Sequence, residues 1–351
     1  AARFTFAEIF AGIGGFRLGM QPLGGTCVYA SEIDLEAQKT YAANFGDSEL
    51  IGDITNTYAC DLPACDILTA GFPCQSFSIR GEKGGLDDPR GRLYLELVRV
   101  LKGCRPKAFI FENVANLVYI DGGKRGEHCK VPEPNVIGRT FEIILLDFRA
   151  CGYDVDWRIV DSSPWIPQSR ERVYLVGVRN DLRADPVEHM DWALDYRSDI
   201  FINQAHQNST VRDIMVPPDH QDIHLCVLTS SQHERITSEE FRKQVYPDVE
   251  PEPGCENWVL QIDKKAPTLV SGYRSTSSYS TKYIFTDKNG DKLDVPRFFT
   301  HLECLRVMGF PDEFIIPKSV AKQYNSFYKQ IGNAVCPPVI NSIAAEVLKL
   351  L

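Results

Sequence analysis

The sequence predicts an α/β fold built on a parallel sheet, with a second, smaller domain set into it. Three observations carry that prediction. Residues 4–20 run from an apolar strand (FTFAEIF) through a glycine turn (AGIGG, Ala11–Gly15) into a helix-like continuation (FRLGM), the order of a βα unit. Later strand-like runs end in the carboxylates Glu32, Asp53 and Glu112, and open α/β sheets gather ligands and chemistry at the carboxyl ends of their strands. From about Asn180 to Val295 the β/α alternation is lost while His, Pro, Ser and Thr rise, which reads as a separate, mostly irregular or β domain. At 351 residues the chain has room for two domains, or one with a large insertion.

Bulk composition narrows the classes. Hydrophobic content of 44% with 24% charged residues is that of a soluble globular protein. No apolar run reaches the roughly 18 residues of a membrane span, and the first ten residues, AARFTFAEIF, lack the basic-then-apolar order of a signal peptide. Eleven cysteines, an odd number with no CxxC pair, argue against a disulfide framework, a zinc ribbon or another metal site, and fit a reducing compartment. The net charge of −9 gives no bulk attraction to nucleic acid, although a local basic groove can exist on an acidic protein.

Taken in order, the first turn is built for close backbone approach to a cofactor, with helix N–H groups aimed at an anionic part of it. Its spacing is not GxGxxG, so S-adenosylmethionine, whose anion is a carboxylate, is expected before a dinucleotide; a plain strand–helix turn gives the same pattern. The strand from Cys27 ends at Glu32, placed to receive ribose hydroxyls, or to cap the helix LEAQKTYAANF, a role Asp34 could fill equally. Leu50–Asp53 brings a further carboxylate within reach of an adenine amino group. Asp66–Arg80 (DILTAGFPCQSFSIR) reads as a strand ended by Gly71, with Pro73 stiffening the turn that carries Cys74. Cys74 is there a candidate nucleophile, or a small buried residue.

The glycine-rich loop Gly81–Gly91 could close over a substrate, or be a surface connection. A helix over Leu93–Lys102 and a strand from Ala108 follow, and the strand ends at Glu112, where a general acid would face Cys74. Gly122–Glu133 reads as a polar excursion, Gly138–Ala150 as a helix and Tyr153–Val160 as a strand. From Ile166, Gln168, Arg170 and Arg172 alternate onto one face, suited to phosphate or base contacts or to a solvated edge. Phe298–Phe310 reads as helical, and Gly332–Pro338 (GNAVCPP) opens a last apolar helix.

FAGIGG, Glu32, Asp53, PCQSFS, FENV, QSRER and GNAV, in that order, resemble the cytosine-C5 DNA methyltransferase family, prokaryotic restriction-modification type, over nearly everything outside the variable middle. The resemblance implies an α/β Rossmann-like, S-adenosylmethionine-dependent methyltransferase sheet with a smaller, mostly irregular or β target-recognition domain. It divides the chain into a catalytic and cofactor-binding domain (1–184 with 326–351) and a target-recognition domain with hinge (185–325). It implies methyl transfer to C5 of a cytosine flipped out of duplex DNA, through a covalent bond from Cys74 to C6. Glu112 matches the acid at N3 and Arg172 the arginine on the cytosine carbonyl oxygen, with Gln168 and Arg170 as neighbouring support and backbone contacts.

For the cofactor, the resemblance implies Phe10 near the adenine or sulfonium and Ala11, Gly12, Gly14 and Gly15 as the loop. Glu32 takes the ribose and Asp53 the adenine amine, with Ile33, Ile54, Pro73 and Leu93 alongside and Asn333, Ala334 and Val335 near the methionine end. Ile33 departs from the aromatic residue that often follows the ribose-binding acid. Ala266–Val270 resembles the Thr-Leu element of recognition domains, which makes Trp258, Tyr273 and Arg274, together with Arg80, the expected DNA contacts. Arg274 could read a guanine, hold a phosphate or pack within its loop. A monomer in the prokaryotic cytoplasm at the nucleoid, paired with a restriction endonuclease, completes the expectation. A tRNA cytosine methyltransferase is the alternative enzyme, although no Cys-Phe-Thr element is present and the middle is long; an inactive scaffold of the same fold is the alternative outside enzymes.

Overall fold

The computed structural model describes residues 3–46, 48–72, 93–125, 136–182, 208–245, 258–274, 281–322 and 324–351. Pro73, Cys74, Arg80 and the loop expected at 81–91 lie outside the described residues, as does most of the excursion expected at 122–133. Two compact units form: one from residues 1–161, 171–202 and 335–351, the other from 162–170 and 203–334.

The first unit is a seven-stranded sheet. Its strands are β1 (Phe4–Ile9), β2 (Gly25–Ser31), β3 (Leu50–Ile51), β4 (Ile67–Gly71), β5 (Ala108–Val114), β6 (Tyr153–Asp161) and β7 (Glu171–Arg179), in the order β3-β2-β1-β4-β5-β7-β6. All pairs are parallel except those of β7, which runs antiparallel to both neighbours. The strand order reverses between β1 and β4, so a crevice opens at their carboxyl ends. Helices α1 (Gly15–Met20), α2 (Leu35–Phe45), α3 (Tyr94–Cys104) and α4 (Arg139–Ala150) connect the strands.

Local chemistry explains these elements. Residues 108–113 of β5 are all buried, the near-continuous apolar run of a strand covered on both faces. Phe109 and Phe111 stack at 4.3 Å, and Phe148 of α4 packs on both at 5.4 and 5.3 Å. Asp34 starts α2, its Oδ1 accepting the N–H groups of Glu36 and Ala37. The helix Pro337–Leu348 has proline in its first turn, where no donor is needed. A Cβ on Gly19 of α1 would lie 2.8 Å from Ile340 of that helix, so only glycine lets the two approach this closely. The stretch Asn325–Leu348 is apolar enough to cross a membrane (hydropathy 1.3), but 61% of it is buried in the protein; it is two helices, broken ahead of Pro337.

The second unit holds one hairpin, β8 (Ile284–Thr286) and β9 (Lys292–Arg297). Short helices at Val211–Ile214, Ser230–Thr237, Glu239–Val245, His301–Val307, Lys318–Lys322 and Tyr324–Asn333 share the unit with irregular chain. The helix expected from Phe298 begins at His301, because Thr300 closes a capping box with Glu303.

Candidate active site

Three turns meet at the carboxyl ends of β1, β2 and β3. After β1 the chain enters left-handed conformation at Phe10 (φ 56°), Gly12 (φ 56°) and Gly14 (φ 86°), and the Ala11 N–H donates to Ser31 O at 2.8 Å. Glycine is needed at 14, where a Cβ would strike the Phe45 ring, and at 15, where it would lie 2.8 Å from Val335. A Cβ on Gly12 would meet nothing within 4 Å, so space opens above the middle of the loop.

Glu32 stands beside that space. Its Oε2 accepts the Gly12 N–H at 2.7 Å and its Oε1 the Asp34 N–H at 2.8 Å. Burial pushes its carboxyl up, while those two N–H groups pull it down by favouring the anion. Of the roles the sequence left open, the cap of α2 belongs to Asp34, while the Glu32 carboxylate holds the glycine loop through the Gly12 N–H. Asp53 follows β3, and its Oδ1 accepts the Thr55 N–H at 2.9 Å to start a 3₁₀ turn. Ile54 is buried, and its carbonyl accepts from Arg99 at 2.8 Å. Ile33 is 67% exposed and Leu93 half-buried just before α3.

A second corner forms at the ends of β4, β5 and β7. Glu112 opposes Tyr174, and Val114 opposes Arg172. Residues two apart share a strand face, so Glu112 and Arg172 are diagonal neighbours across an antiparallel pair. They meet as a largely buried ion pair, Arg172 Nε to Glu112 Oε1, at 3.1 Å. On the other side Glu112 pairs in register with Gly71, and a Cβ on Gly71 would be 3.8 Å from Glu112 Oε2. Asn113 donates from Nδ2 to Phe72 O at 3.1 Å. The ion pair thus adjoins the carboxyl end of β4, from which the sequence runs on to Pro73 and Cys74. Val335 reaches the same place, its Cγ1 lying 3.6 Å from the Gly71 position.

Gln168 and Arg170 correct the expectation of one alternating face. β7 begins only at Glu171, and both residues are buried in the second unit. Gln168 donates to Val307 O and accepts from the Leu269 N–H. Arg170 donates to the carbonyls of Leu269, Gly332 and Ala334 at 2.8–3.0 Å. A planar fork suits several carbonyls at once, so neither a phosphate contact nor a solvated edge describes Arg170. Asn333, exposed, ends a helix in that unit, and Ala334 is buried there.

The aromatic residues expected at DNA are also corrected. Trp258 is 4% exposed and packs edge-on against Phe241 at 5.6 Å. Tyr273 is 5% exposed; its hydroxyl accepts the Phe299 N–H and donates to Lys282 O. Both are core residues, since loop aromatics bury area as readily as they stack on bases. Arg274 donates to Leu225 O at 2.8 Å, its guanidinium 5.5 Å from the Phe298 ring centroid and 5.6 Å from that of Tyr328. Those contacts hold its guanidinium against its own unit.

Sequence reasoning missed three buried charges. Glu8 lies inside the apolar run of β1, and Arg297 pairs with Glu303 at the end of β9, all three at most 2% exposed. The only signal was a charged residue within an otherwise apolar stretch. Among the described residues no group of three or more His, Cys, Asp or Glu could hold a metal ion.

Comparison with known proteins places this geometry. The family model of the C-5 cytosine-specific DNA methylases matches residues 4–349. The Type II methyltransferase M.HpaII of Haemophilus parainfluenzae is 36% identical, covering 99% of this chain and 90% of its own. M.NlaX of Neisseria lactamica is 34% identical over 98% and 96%. The crystal structure of S. pombe Dnmt2 methyltransferase superposes with a TM-score of 0.71 at 20% identity, covering 99% of both chains, a likeness of fold. With its full-length family match and its mostly parallel sheet, the chain belongs to the C-5 cytosine-specific DNA methylases and is a DNA cytosine-5-methyltransferase that uses S-adenosylmethionine.

Proposed function

We propose that this enzyme methylates C5 of a cytosine flipped out of a specific duplex DNA sequence, through a covalent bond from Cys74 to C6. The observation that carries the reading is the buried Arg172–Glu112 pair at 3.1 Å, beside the carboxyl end of β4, three residues before Cys74 in the sequence. A base inside a duplex cannot reach such a corner, hence the flip.

The residues of the first unit fit the cofactor. Glu32, held by backbone N–H groups, would accept from ribose hydroxyls; Asp53 would hold the adenine amine, and exposed Ile33 would pack on a flat ring. Positive-φ Gly12, with open space where a side chain would project, admits close approach of the methionine end. When bound, S-adenosylmethionine supplies an electrophilic methyl group.

Cytosine C5 is too weak a nucleophile alone. Attack of the Cys74 thiolate on C6 makes the S–C6 bond and turns C5 into an enamine carbon that accepts the methyl. Glu112 takes up a proton as the base enters and hydrogen-bonds it to N3 as negative charge develops there, while Arg172, its ion-pair partner, holds the carbonyl oxygen of the base. Loss of the C5 proton and departure of the thiolate restore the aromatic ring. Base reading falls to the second unit, a monomeric enzyme in the bacterial cytoplasm is our reading, and a partner endonuclease would cleave the unmodified sequence.

Glu112→Gln should lower the methyl-transfer rate about 10²–10⁴-fold with cofactor affinity near normal, whereas Glu32→Ala should weaken cofactor binding by removing a partner of ligand hydroxyls. Labelled methyl transfer to duplex DNA, followed by bisulfite sequencing, reads the first; calorimetry with S-adenosylhomocysteine reads the second. Incorporation into tRNA in place of duplex DNA would overturn the substrate assignment, and weak cofactor binding by Glu112→Gln with intact turnover would overturn its role.

A further inference from the structure

Glu8 is fully buried in β1, away from the catalytic corner, and its carboxylate is committed to two donors. Oε1 accepts the backbone N–H of Arg17 at 2.6 Å, and Oε2 accepts the Tyr41 hydroxyl at 2.7 Å. The Arg17 guanidinium donates to the same hydroxyl at 3.1 Å and lies 4.9 Å from the Phe45 ring centroid. Cys27 Sγ of β2 is 3.8 Å from that hydroxyl, and Glu49 Oε2 is 3.7 Å from Arg17 Nη1. Arg17 from α1, Tyr41 from α2, Cys27 from β2 and Glu49 ahead of β3 are thus the charged and titratable groups around Glu8.

The N–H that Glu8 holds belongs to the first turn of α1. A helix leaves its first N–H groups without internal partners, and the N-cap of α1 is Gly14, which has no side chain to offer. Glu8 supplies the missing acceptor from the neighbouring strand, and its negative charge suits a helix N-terminus. Glu32 holds the same loop at Gly12. Two carboxylates therefore hold the loop's backbone at two points, Gly12 and Arg17.

We propose that Glu8 is a positioning residue for the cofactor: its ionised carboxylate holds the glycine loop in the shape that binds S-adenosylmethionine, so affinity follows the protonation of Glu8. The proposal rests on the reading that places the cofactor at this loop. Burial pushes the Glu8 carboxyl up to about 7, against the Tyr41 hydrogen bond, the Arg17 charge and the Arg17 N–H, which favour the anion. Protonated, Glu8 becomes a donor toward Tyr41, whose hydroxyl hydrogen must turn elsewhere, and Arg17 N–H is left with a neutral acceptor. Hydrogen bonds to a neutral acceptor are roughly half as strong as those to an anion, so the loop is held less firmly.

The test is calorimetric titration of S-adenosylhomocysteine into the wild type, Glu8→Gln, Tyr41→Phe and Glu32→Ala between pH 6 and 8.5. The ratio of wild-type to Glu8→Gln affinity should be near one at pH 6 and rise roughly five- to tenfold by pH 8.5; titration of the ligand's own amine cancels in that ratio. Tyr41→Phe removes a hydrogen bond that favours the anion, so its rise should come at higher pH than in the wild type. Thermal unfolding should move the opposite way. A carboxyl raised in the folded state contributes stability present below its unfolded value of roughly 4.5, lost as pH rises through about 7. Wild type should therefore lose stability between pH 4.5 and 8 that Glu8→Gln retains, even as its affinity rises, whereas a purely structural Glu8 would move both together. A constant affinity ratio, or an unmoved Tyr41→Phe profile should Glu8→Gln fail to fold, overturns the proposal. Undiminished binding by Glu32→Ala would instead overturn the placing of the cofactor.

Discussion

Cys74→Ser should abolish detectable methyl transfer while leaving cofactor affinity within about twofold of the wild type. The thiolate is the nucleophile in the proposed mechanism, and at neutral pH a serine hydroxyl, with no residue assigned to deprotonate it, cannot replace it. Losing a covalent nucleophile typically costs several orders of magnitude; about 10⁶-fold is the scale when such a residue acts in concert with its neighbours. Duplex DNA carrying 5-fluorocytosine gives the positive counterpart. Fluorine at C5 blocks the final elimination, so the wild type should become covalently attached, and mass spectrometry should find the adduct on Cys74. An adduct on any other residue, or turnover by Cys74→Ser, would remove Cys74 from the mechanism.

Arg297→Met should cost the second unit about 3–5 kcal/mol, the scale for stranding one partner of a buried pair. Arg297 donates from Nη1 and Nη2 to the two oxygens of Glu303 at 2.7 and 2.9 Å, and from Nη1 to Phe298 O as well. Glu303 also accepts the N–H groups of Val216 at 3.0 Å and Thr300 at 2.8 Å. With Arg297 gone, a carboxylate that is 0% exposed keeps two backbone donors and no counter-charge. Replacing Glu303 by Gln in the same chain should recover part of the loss, because the stranded charge goes with it. Denaturant unfolding followed through buried Trp258 measures both. A single-variant loss under 1 kcal/mol would mean that the pair has little net stabilising effect here.

The order of strands and helices was legible from the chain, because it rests on short-range periodicity. FTFAEIF, the glycine turn, the helix LEAQKTYAANF and the buried run from Ala108 each declare themselves within a dozen residues, and the carboxylates at strand ends follow from where those strands stop. The family motifs name Glu112 and Arg172 in the same way, by their place in a short run. Which side chains meet was not legible. Glu32 and Asp34 are the same kind of group two residues apart, and only the course of the Gly12 and Glu36 N–H groups assigns brace to one and cap to the other. Gln168 and Arg170 alternate as a strand face would, but the strand starts after them, and their partners lie about 100 to 164 residues away. Trp258 and Tyr273 fit a base-reading loop by composition, and burial among Phe241, Phe298 and Phe299 gives them to the core instead. Glu8 passed for one polar letter in an apolar strand until Tyr41, 33 residues on, closed over it. Hydrogen-bond and packing partners are chosen by proximity in space, to which a local repeat of two or 3.6 residues carries no reference.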